Sequence, residues 1–99
     1  MEISIDGLYK AFDHRIRLGI MSALSVNDAL DFNALKTLLN LTDGNLASHI
    51  KALEKEEYIL AKKSFIDKKP NTKYVVTRAG RKAFEQHLKA LEKLIKTQQ

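Results

Sequence analysis

The fold of this chain is decided by the stretch Leu41-Thr-Asp-Gly-Asn-Leu-Ala-Ser-His-Ile-Lys-Ala-Leu-Glu-Lys-Glu56. Thr42 is a favourable N-cap, and the leucine before it and Leu46 four residues after it have the spacing of a hydrophobic staple. From Leu46 onward, apolar residues return every three or four positions, so one face of the helix is buried and the opposite face is small, polar and cationic. The stretch therefore predicts an amphipathic helix with a defined entry angle and an exposed polar face.

Shorter elements precede this helix. Apolar residues at helical spacing within residues 5–12 predict a short first helix, and Asp13 is a good N-cap for a second helix that runs to about residue 25. Residues 30–32 form at most a very short strand. Asn33 can cap a brief third helix of about two turns, which ends just before the tight connection into Thr42.

A β-hairpin and a long helix follow. Residues 58–65 and 72–76 are rich in apolar and β-prone side chains, which predicts two paired strands. The tip between them, residues 66–71, holds three charged residues and the only proline, Pro70, which suits a loop. Thr77 caps a final helix that runs to about residue 96.

This order of elements is typical of a winged helix-turn-helix. We therefore predict a mainly α (α+β) fold with about five helices and a two- or three-stranded wing hairpin, in a single domain that spans residues 1–99. The final helix carries a 4-3-4 apolar seam, which either folds back on its own core or pairs with a second copy. Pairing is the better interpretation, and the predicted dimer interface consists of Ile5, Leu8, Tyr9, Phe84, Leu88, Leu91 and Ile95.

Composition excludes several classes of protein. The chain has 99 residues, 44% of them hydrophobic and 29% charged, as in an ordinary globular domain. The absence of cysteine excludes disulfides, thiolate metal sites and cysteine nucleophiles, and no apolar run approaches the roughly 18 residues of a membrane span. The N-terminus lacks the pattern of an export signal, so we expect a cytoplasmic protein with no membrane partner.

Enzyme chemistry is also absent from the sequence. The three histidines are far apart and lack carboxylate neighbours at ligand spacing, so we expect no metal site and no cofactor. Nothing resembles a nucleophile with its base, a phosphate loop or a dinucleotide fingerprint. We therefore predict that the protein is not an enzyme.

The charge is unevenly distributed along the chain. Residues 1–57 contain six basic and nine acidic residues (−3), whereas residues 58–99 contain eleven basic and three acidic residues (+8). A basic half of this kind indicates a densely anionic partner. Nucleic acid is the first candidate, and an anionic membrane surface is the less favoured one.

The helix from residue 42 to residue 56 and the wing from residue 62 to residue 73 predict a double-stranded DNA interface. A helix fits the major groove of B-DNA, where side chains near its N-terminus reach base edges, and wing cations bind the backbone or the minor groove. Asn45 and Ser48 also suit an ordinary first helical turn, and His49 is equally compatible with a partly buried position. The predicted DNA-binding residues are Thr42, Gly44, Asn45, Ser48, His49, Lys51, Lys55, Lys62, Lys63, Lys68, Lys69 and Lys73.

Two motifs make the resemblance to a known family specific. The helix start Leu-Thr-x-Gly-Asn-Leu-x-x-His lies within Phe32–Ile59, and the wing exit Lys-Tyr-x-x-Thr-x-x-Gly-Arg lies within Lys68–Phe84. Together they resemble the small winged-helix transcriptional regulators of the MarR and ArsR type. The stretch Asp13-His14-Arg15 also matches a place where many relatives have Asp-Pro before an arginine.

The resemblance implies a homodimer that binds a palindromic operator and regulates transcription, most simply as a repressor. It also implies DNA contacts at the matching positions, which are Thr42, Asn45, Ser48, His49, Lys51, Lys68 and Lys69. Two departures are present: Glu57 replaces a helix-ending glycine, and the cysteine pair of the metal-sensing relatives is missing. The alternative functions are a winged-helix module for protein–protein interaction and a regulator that senses a metal or an unknown small-molecule effector.

Overall fold

The computed structural model describes residues 2–99 and confirms the winged helix-turn-helix fold. Within that range it has four α-helices, a three-stranded antiparallel sheet and a short 3-10 turn at Lys10–Phe12. The elements in chain order are α1 (Arg15–Ser25), β1 (Leu30–Asp31), α2 (Phe32–Leu39), α3 (Asp43–Lys55), β2 (Ile59–Ile66), β3 (Lys69–Val76) and α4 (Arg78–Thr97).

The predicted first helix is the one helix that the described residues lack. Of residues 5–12, only the 3-10 turn at Lys10–Phe12 is helical. Gly7 has a φ of 90°, a left-handed value that interrupts a helix, and a Cβ added there would lie 3.3 Å from the Cβ of Ala90 in α4. The N-terminal segment therefore runs closely along α4, where contact with that helix replaces helical hydrogen bonds of its own.

Two of the predicted helix caps are confirmed, and both are threonines. Thr42 Oγ1 accepts a hydrogen bond from Asn45 N at 3.4 Å, at the start of α3. Thr77 Oγ1 accepts one from Gly80 N at 2.9 Å, at the start of α4. In both helices the cap satisfies a backbone donor that has no partner inside the helix.

The other two caps were predicted wrongly. The cap of α1 is His14, whose Nδ1 accepts from Ile16 N at 3.1 Å, because Asp13 instead closes the preceding 3-10 turn. The cap of α2 is Asp31, whose Oδ1 accepts from Ala34 N at 2.7 Å, and Asn33 lies inside the helix. Asp31 takes this role because pairing of β1 with β3 ends the extended segment there.

The core is built from residues of all four helices and β2. Its largest fully buried side chains are Ile20, Met21, Leu24, Leu35, Leu46, Leu53 and Ile59. Phe84, predicted on the dimerisation seam, is only 4% exposed and packs edge-on against Phe12, with ring centroids 5.5 Å apart. Phe84 therefore belongs to the core of its own subunit and is unavailable as an interface residue.

The wing is longer and its tip tighter than predicted. β2 and β3 pair from Ile59 opposite Val76 to Ile66 opposite Lys69, which leaves a two-residue turn at Asp67 and Lys68. Both turn residues have positive φ values, 51° and 65°, as a type I′ hairpin turn requires.

Pro70 lies in β3 and not in the loop that we predicted for it. The sheet order is β1-β3-β2, so β3 is the central strand, but β1 pairs only with Lys73 and Tyr74. At Pro70 the strand therefore has a neighbour on one side only, and proline is tolerated at such an edge.

No helix among residues 2–99 is both long enough and apolar enough to cross a bilayer.

A buried histidine connects α4 to the N-terminal segment and predicts a pH-dependent stability. His87 is 3% exposed, and its Nδ1 accepts a hydrogen bond from Tyr9 N at 2.9 Å. Burial lowers the pKa of His87, and the nearby Asp13 carboxylate opposes this effect. Because the unfolded chain then binds the proton more readily than the folded chain, the free energy of unfolding should decrease as the pH falls below about 6.5.

Urea unfolding at pH 7.5 and pH 5.0 checks this expectation. His87→Gln keeps a hydrogen-bond acceptor but cannot be protonated in this range, so its stability should decrease less on acidification than that of the unmodified protein. Because burial also lowers the pKa of His49, the variant should keep part of the pH dependence. Equal losses in the two proteins would contradict the assignment to His87.

Candidate nucleic-acid interface

The turn between α2 and α3 fixes the position of α3. Asn40 adopts a left-handed conformation with φ of 52°, and Leu41 N donates to Lys36 O at 3.0 Å, which closes the end of α2. Across the turn, Lys36 Nζ lies 2.9 Å from Asp43 Oδ1 in the first turn of α3. These contacts, together with the leucine and isoleucine side chains that α3 inserts into the core, hold the helix against α1 and α2.

The opposite face of α3 is exposed. Gly44 has no atom within 4 Å of the position that a Cβ would take, so the backbone there is open to a partner. Ser48 Oγ donates to Asn45 O at 3.2 Å, which leaves the lone pairs of the hydroxyl oxygen free to accept. The predicted DNA-binding residues of α3 and its cap that lie on this exposed face are Thr42, Gly44, Asn45, Ser48, Lys51 and Lys55.

His49 differs from the other predicted residues of α3. It is half-buried at the side of the helix, and its ring lies on the ring of His14, with centroids 4.1 Å apart. Burial lowers the pKa of His49, and the nearby His14 and Arg17 lower it further. The ring can form hydrogen bonds at its free edge, and its lowered pKa makes it a weaker source of positive charge for a phosphate than the lysines of α3.

The end of α3 leads directly into the wing. Tyr58 N donates to Leu53 O at 3.1 Å and Glu57 N donates to Glu54 O at 2.9 Å, which is the hydrogen-bond pattern of a Schellman motif. Glu57 has a φ of 62°, the left-handed conformation that favours glycine. Glu57 therefore replaces the glycine of the family pattern, but the backbone at this position keeps the conformation that glycine favours.

The wing is a cationic surface. All five predicted lysines, Lys62, Lys63, Lys68, Lys69 and Lys73, are exposed, and within residues 2–99 none of them forms a salt bridge. Lys62 lies directly opposite Lys73 in the strand ladder. Like charges at directly opposed positions destabilise a sheet, so this pair is better explained by an anionic partner than by the stability of the wing.

One feature of the wing was not predicted from the sequence. Phe65 and Ile66 at the end of β2 are 76% and 52% exposed. The apolar composition of residues 58–65 indicated a strand, and apolar residues in a strand are normally assigned to its buried face. Only the pairing of Phe65 with Pro70 at the tip shows that this side chain extends beyond the core.

The predicted dimer interface is divided by the structure. Ile5, Leu88 and Ile95 are exposed, whereas Leu8 and Leu91 are half-buried. Tyr9 packs against the core, with its ring 5.8 Å from that of Phe12, and its hydroxyl donates a hydrogen bond to Gln86. Exposed apolar side chains therefore remain both on the N-terminal segment and on α4 after Phe84 is excluded.

The residues described contain no group of three or more His, Cys, Asp or Glu side chains that could hold a metal ion.

Comparison with known proteins agrees with this geometry. Residues 16–95 match the family model of a winged helix DNA-binding domain. A protein of Methanocaldococcus jannaschii described as uncharacterized is 38% identical over 87 residues, which cover 88% of this chain and 95% of that protein.

Two solved structures are also similar. The structure of a transcriptional regulator homologue from Pyrococcus horikoshii OT3 has 31% sequence identity and a TM-score of 0.81, covering 88% of this chain and 86% of that chain. The structure of a MarR-family transcriptional regulator from Silicibacter pomeroyi has 17% identity and a TM-score of 0.63, covering 87% of this chain and 53% of that chain.

Proposed function

The chain belongs to the family of winged helix DNA-binding domains, and on this basis we propose that it acts as a homodimeric repressor that binds a palindromic operator. The fold and the family are those of DNA-binding transcriptional regulators, which are not enzymes. In the proposed function, residues 1–99 act as one DNA-binding unit. α3 reads the major groove, and the wing binds the backbone or the minor groove beside it.

The observation that carries the proposal is the exposed polar face of α3. The side chains of Leu46, Ile50 and Leu53 hold the helix in the core, so its opposite face is free along its whole length. A helix of this width fits the major groove, which is about 12 Å wide, and Asn45 can form two hydrogen bonds with an adenine. Thr42 and the free amides of the first helical turn are suited to a phosphate.

The wing supports the same partner. Its five exposed lysines follow α3 in the chain and lie on a two-stranded hairpin. Phosphate contacts from such residues position a protein on DNA but carry no sequence information, whereas the side chains of α3 reach base edges. The wing therefore contributes affinity, and α3 contributes sequence specificity.

The homodimer is supported by the exposed apolar side chains of Leu88 and Ile95, which lie on one face of α4, and by the exposed Ile5 of the N-terminal segment. A two-fold axis through α4 and the N-terminal segment would present two copies of α3 to one side of the dimer. The two helices could then enter successive major grooves about 34 to 36 Å apart, which is why we propose a palindromic operator.

Selection of bound duplexes from a random-sequence library, followed by anisotropy titration of the selected duplex, tests the proposal. We expect a palindromic sequence, a dissociation constant in the micromolar range or tighter, and a logarithmic salt dependence with a slope steeper than about −4. Analytical ultracentrifugation should give two subunits per duplex. Failure to enrich any sequence, or binding that does not respond to salt, would overturn the proposed function.

A further inference from the structure

The tip of the wing combines apolar and cationic side chains in one small region. Phe65 is 76% exposed and Ile66 is 52% exposed, and they are directly followed by the turn residues Asp67 and Lys68 and then by Lys69. An aromatic ring contributes favourable hydrophobic free energy only when it is removed from water, so an exposed ring at a hairpin tip contributes little to the stability of the subunit. Most of this ring is left uncovered by the described subunit, which indicates that a partner outside the subunit covers it.

The strand register defines the shape of the tip. Phe65 lies directly opposite Pro70, and directly opposed residues point to the same face of a sheet. Two positions back, Lys63 lies opposite Thr72 on that same face. The phenyl and pyrrolidine rings therefore form an apolar pair at the outer end of a face that also carries Lys63.

The pair lies within a regular hairpin. The strand ladder continues as far as Ile66 opposite Lys69, and the turn has only two residues, both with the positive φ values of a type I′ turn. Proline has a fixed φ and little conformational entropy to lose. An apolar tip of this kind can insert into a partner without first becoming ordered.

The charges around the pair identify the class of partner. Lys63 lies on the same face as the pair, Lys68 lies in the turn beside Asp67, and Lys69 directly precedes Pro70. None of these three lysines has an acidic partner within 4.0 Å among the residues described, so the tip is net cationic. A second copy of the same tip would bring these lysines against lysines, whereas DNA offers phosphates around a groove whose floor consists of stacked bases. Minor-groove binding proteins use this combination: cations at the phosphates and an apolar side chain inserted at a base step.

We propose that Phe65, backed by Pro70, is a wedge that enters the minor groove beside the site of α3 and partly unstacks one base step. This inference rests on the proposed function and extends it to the way the wing recognises DNA. The wedge makes the affinity depend on the base step beneath the wing, although the wing forms no hydrogen bond with a base there. Pyrimidine–purine steps unstack most easily, so they are favoured beneath the wing.

Comparison of Phe65→Ala with the unmodified protein tests the wedge, with the duplex selected by the unmodified protein as the probe. We expect Phe65→Ala to bind this duplex about tenfold more weakly with an unchanged salt slope, because the lost contact is apolar. Val26→Ala is the matched control, since Val26 is 82% exposed and lies outside α3 and the wing. This control should bind with unchanged affinity.

A base analogue reports the unstacking directly. With 2-aminopurine placed in turn at each step flanking the α3 sites, binding of the unmodified protein should raise the fluorescence at one step on each side at least twofold. Phe65→Ala should abolish that rise. Replacement of the responsive step by an A-tract should lower the affinity of the unmodified protein for the duplex but leave the affinity of Phe65→Ala nearly unchanged.

The outcomes separate this inference from the proposed function. If the unmodified protein binds its selected duplex with a steep salt dependence, but Phe65→Ala binds equally well and no step responds, the wedge is wrong and the proposed function stands. If Phe65→Ala converts a dimer into monomers in ultracentrifugation, Phe65 covers a second copy and the wedge is equally wrong. If the unmodified protein selects no duplex, both proposals fail.

Discussion

Replacement of Gly80 by alanine is expected to destabilise this protein more than any other single methyl group added to a glycine. A Cβ at Gly80 would lie 2.0 Å from the carbonyl oxygen of Tyr58 and 2.9 Å from its Cα. These are backbone atoms and cannot rotate away as a side chain could. The first turn of α4 and the junction between α3 and β2 would have to separate.

The same place holds several hydrogen bonds. Thr77 N donates to Tyr58 O at 3.0 Å, Thr77 Oγ1 donates to Glu57 O at 2.7 Å, and Gly80 N donates to that hydroxyl at 2.9 Å. Separation of the two backbones would break the first two of these bonds. We expect the free energy of unfolding to decrease by about 3 kcal/mol or more.

Urea unfolding followed by circular dichroism measures this loss, and Gly44→Ala is the matched control. It adds the same methyl group in a helix where no atom lies within 4 Å. Alanine is the better helix former and Gly44 lies in the first turn of α3, so the control should be at least as stable as the unmodified protein. A Gly80→Ala protein as stable as the unmodified one would show that the two backbones are not in close contact.

Reversal of two charges at the wing tip should have the largest effect on DNA binding. In the proposed function, Lys68→Glu combined with Lys69→Glu removes two phosphate contacts and places two carboxylates beside the DNA backbone. We expect at least a 100-fold weaker affinity for the selected duplex and a salt slope smaller by about 2 for each wing that touches the DNA. Because both lysines are exposed, the midpoint of urea unfolding should hardly change.

Anisotropy titration over a series of salt concentrations measures both quantities. The matched control is Lys89→Glu with Lys93→Glu, at two exposed positions of α4. It changes the net charge by the same amount as the wing variant and should weaken DNA binding far less. Unchanged affinity in the wing variant would show that the wing does not contact DNA. In that case the module for protein–protein interaction becomes the better interpretation, and the same variant should lose a protein partner.

Local signals were sufficient for much of the fold. Thr42 and Thr77 were predicted correctly as caps because a cap needs only a suitable side chain next to the first helical amides. The caps His14 and Asp31 were missed because each depends on where the preceding element ends, and for Asp31 that end depends on a partner strand more than 40 residues away. The order of the elements from α1 to α4 was predictable, whereas the predicted first helix does not form and the starts of α1, α2 and β3 differ from the prediction.

The outward face of α3 is the part of the candidate site that the sequence by itself determined. An α-helix with apolar residues every three or four positions must turn that side inward, because burial of apolar surface is the main favourable contribution to folding. The remaining polar side chains are then exposed whatever the details of the packing. The positive charge of the wing was determined in the same way, since five lysines on a short hairpin cannot be buried.

Only the tertiary structure decided the roles of the aromatic side chains. The sequence predicted Phe84 on the dimer interface and Phe65 within a strand, yet the first packs inside the subunit and the second extends beyond it at the wing tip. The difference depends on strand register and on which helix lies opposite, and both are set by contacts between distant parts of the chain. Periodicity along a chain defines which side of an element is apolar, but the surface that meets that side is defined only when the elements pack.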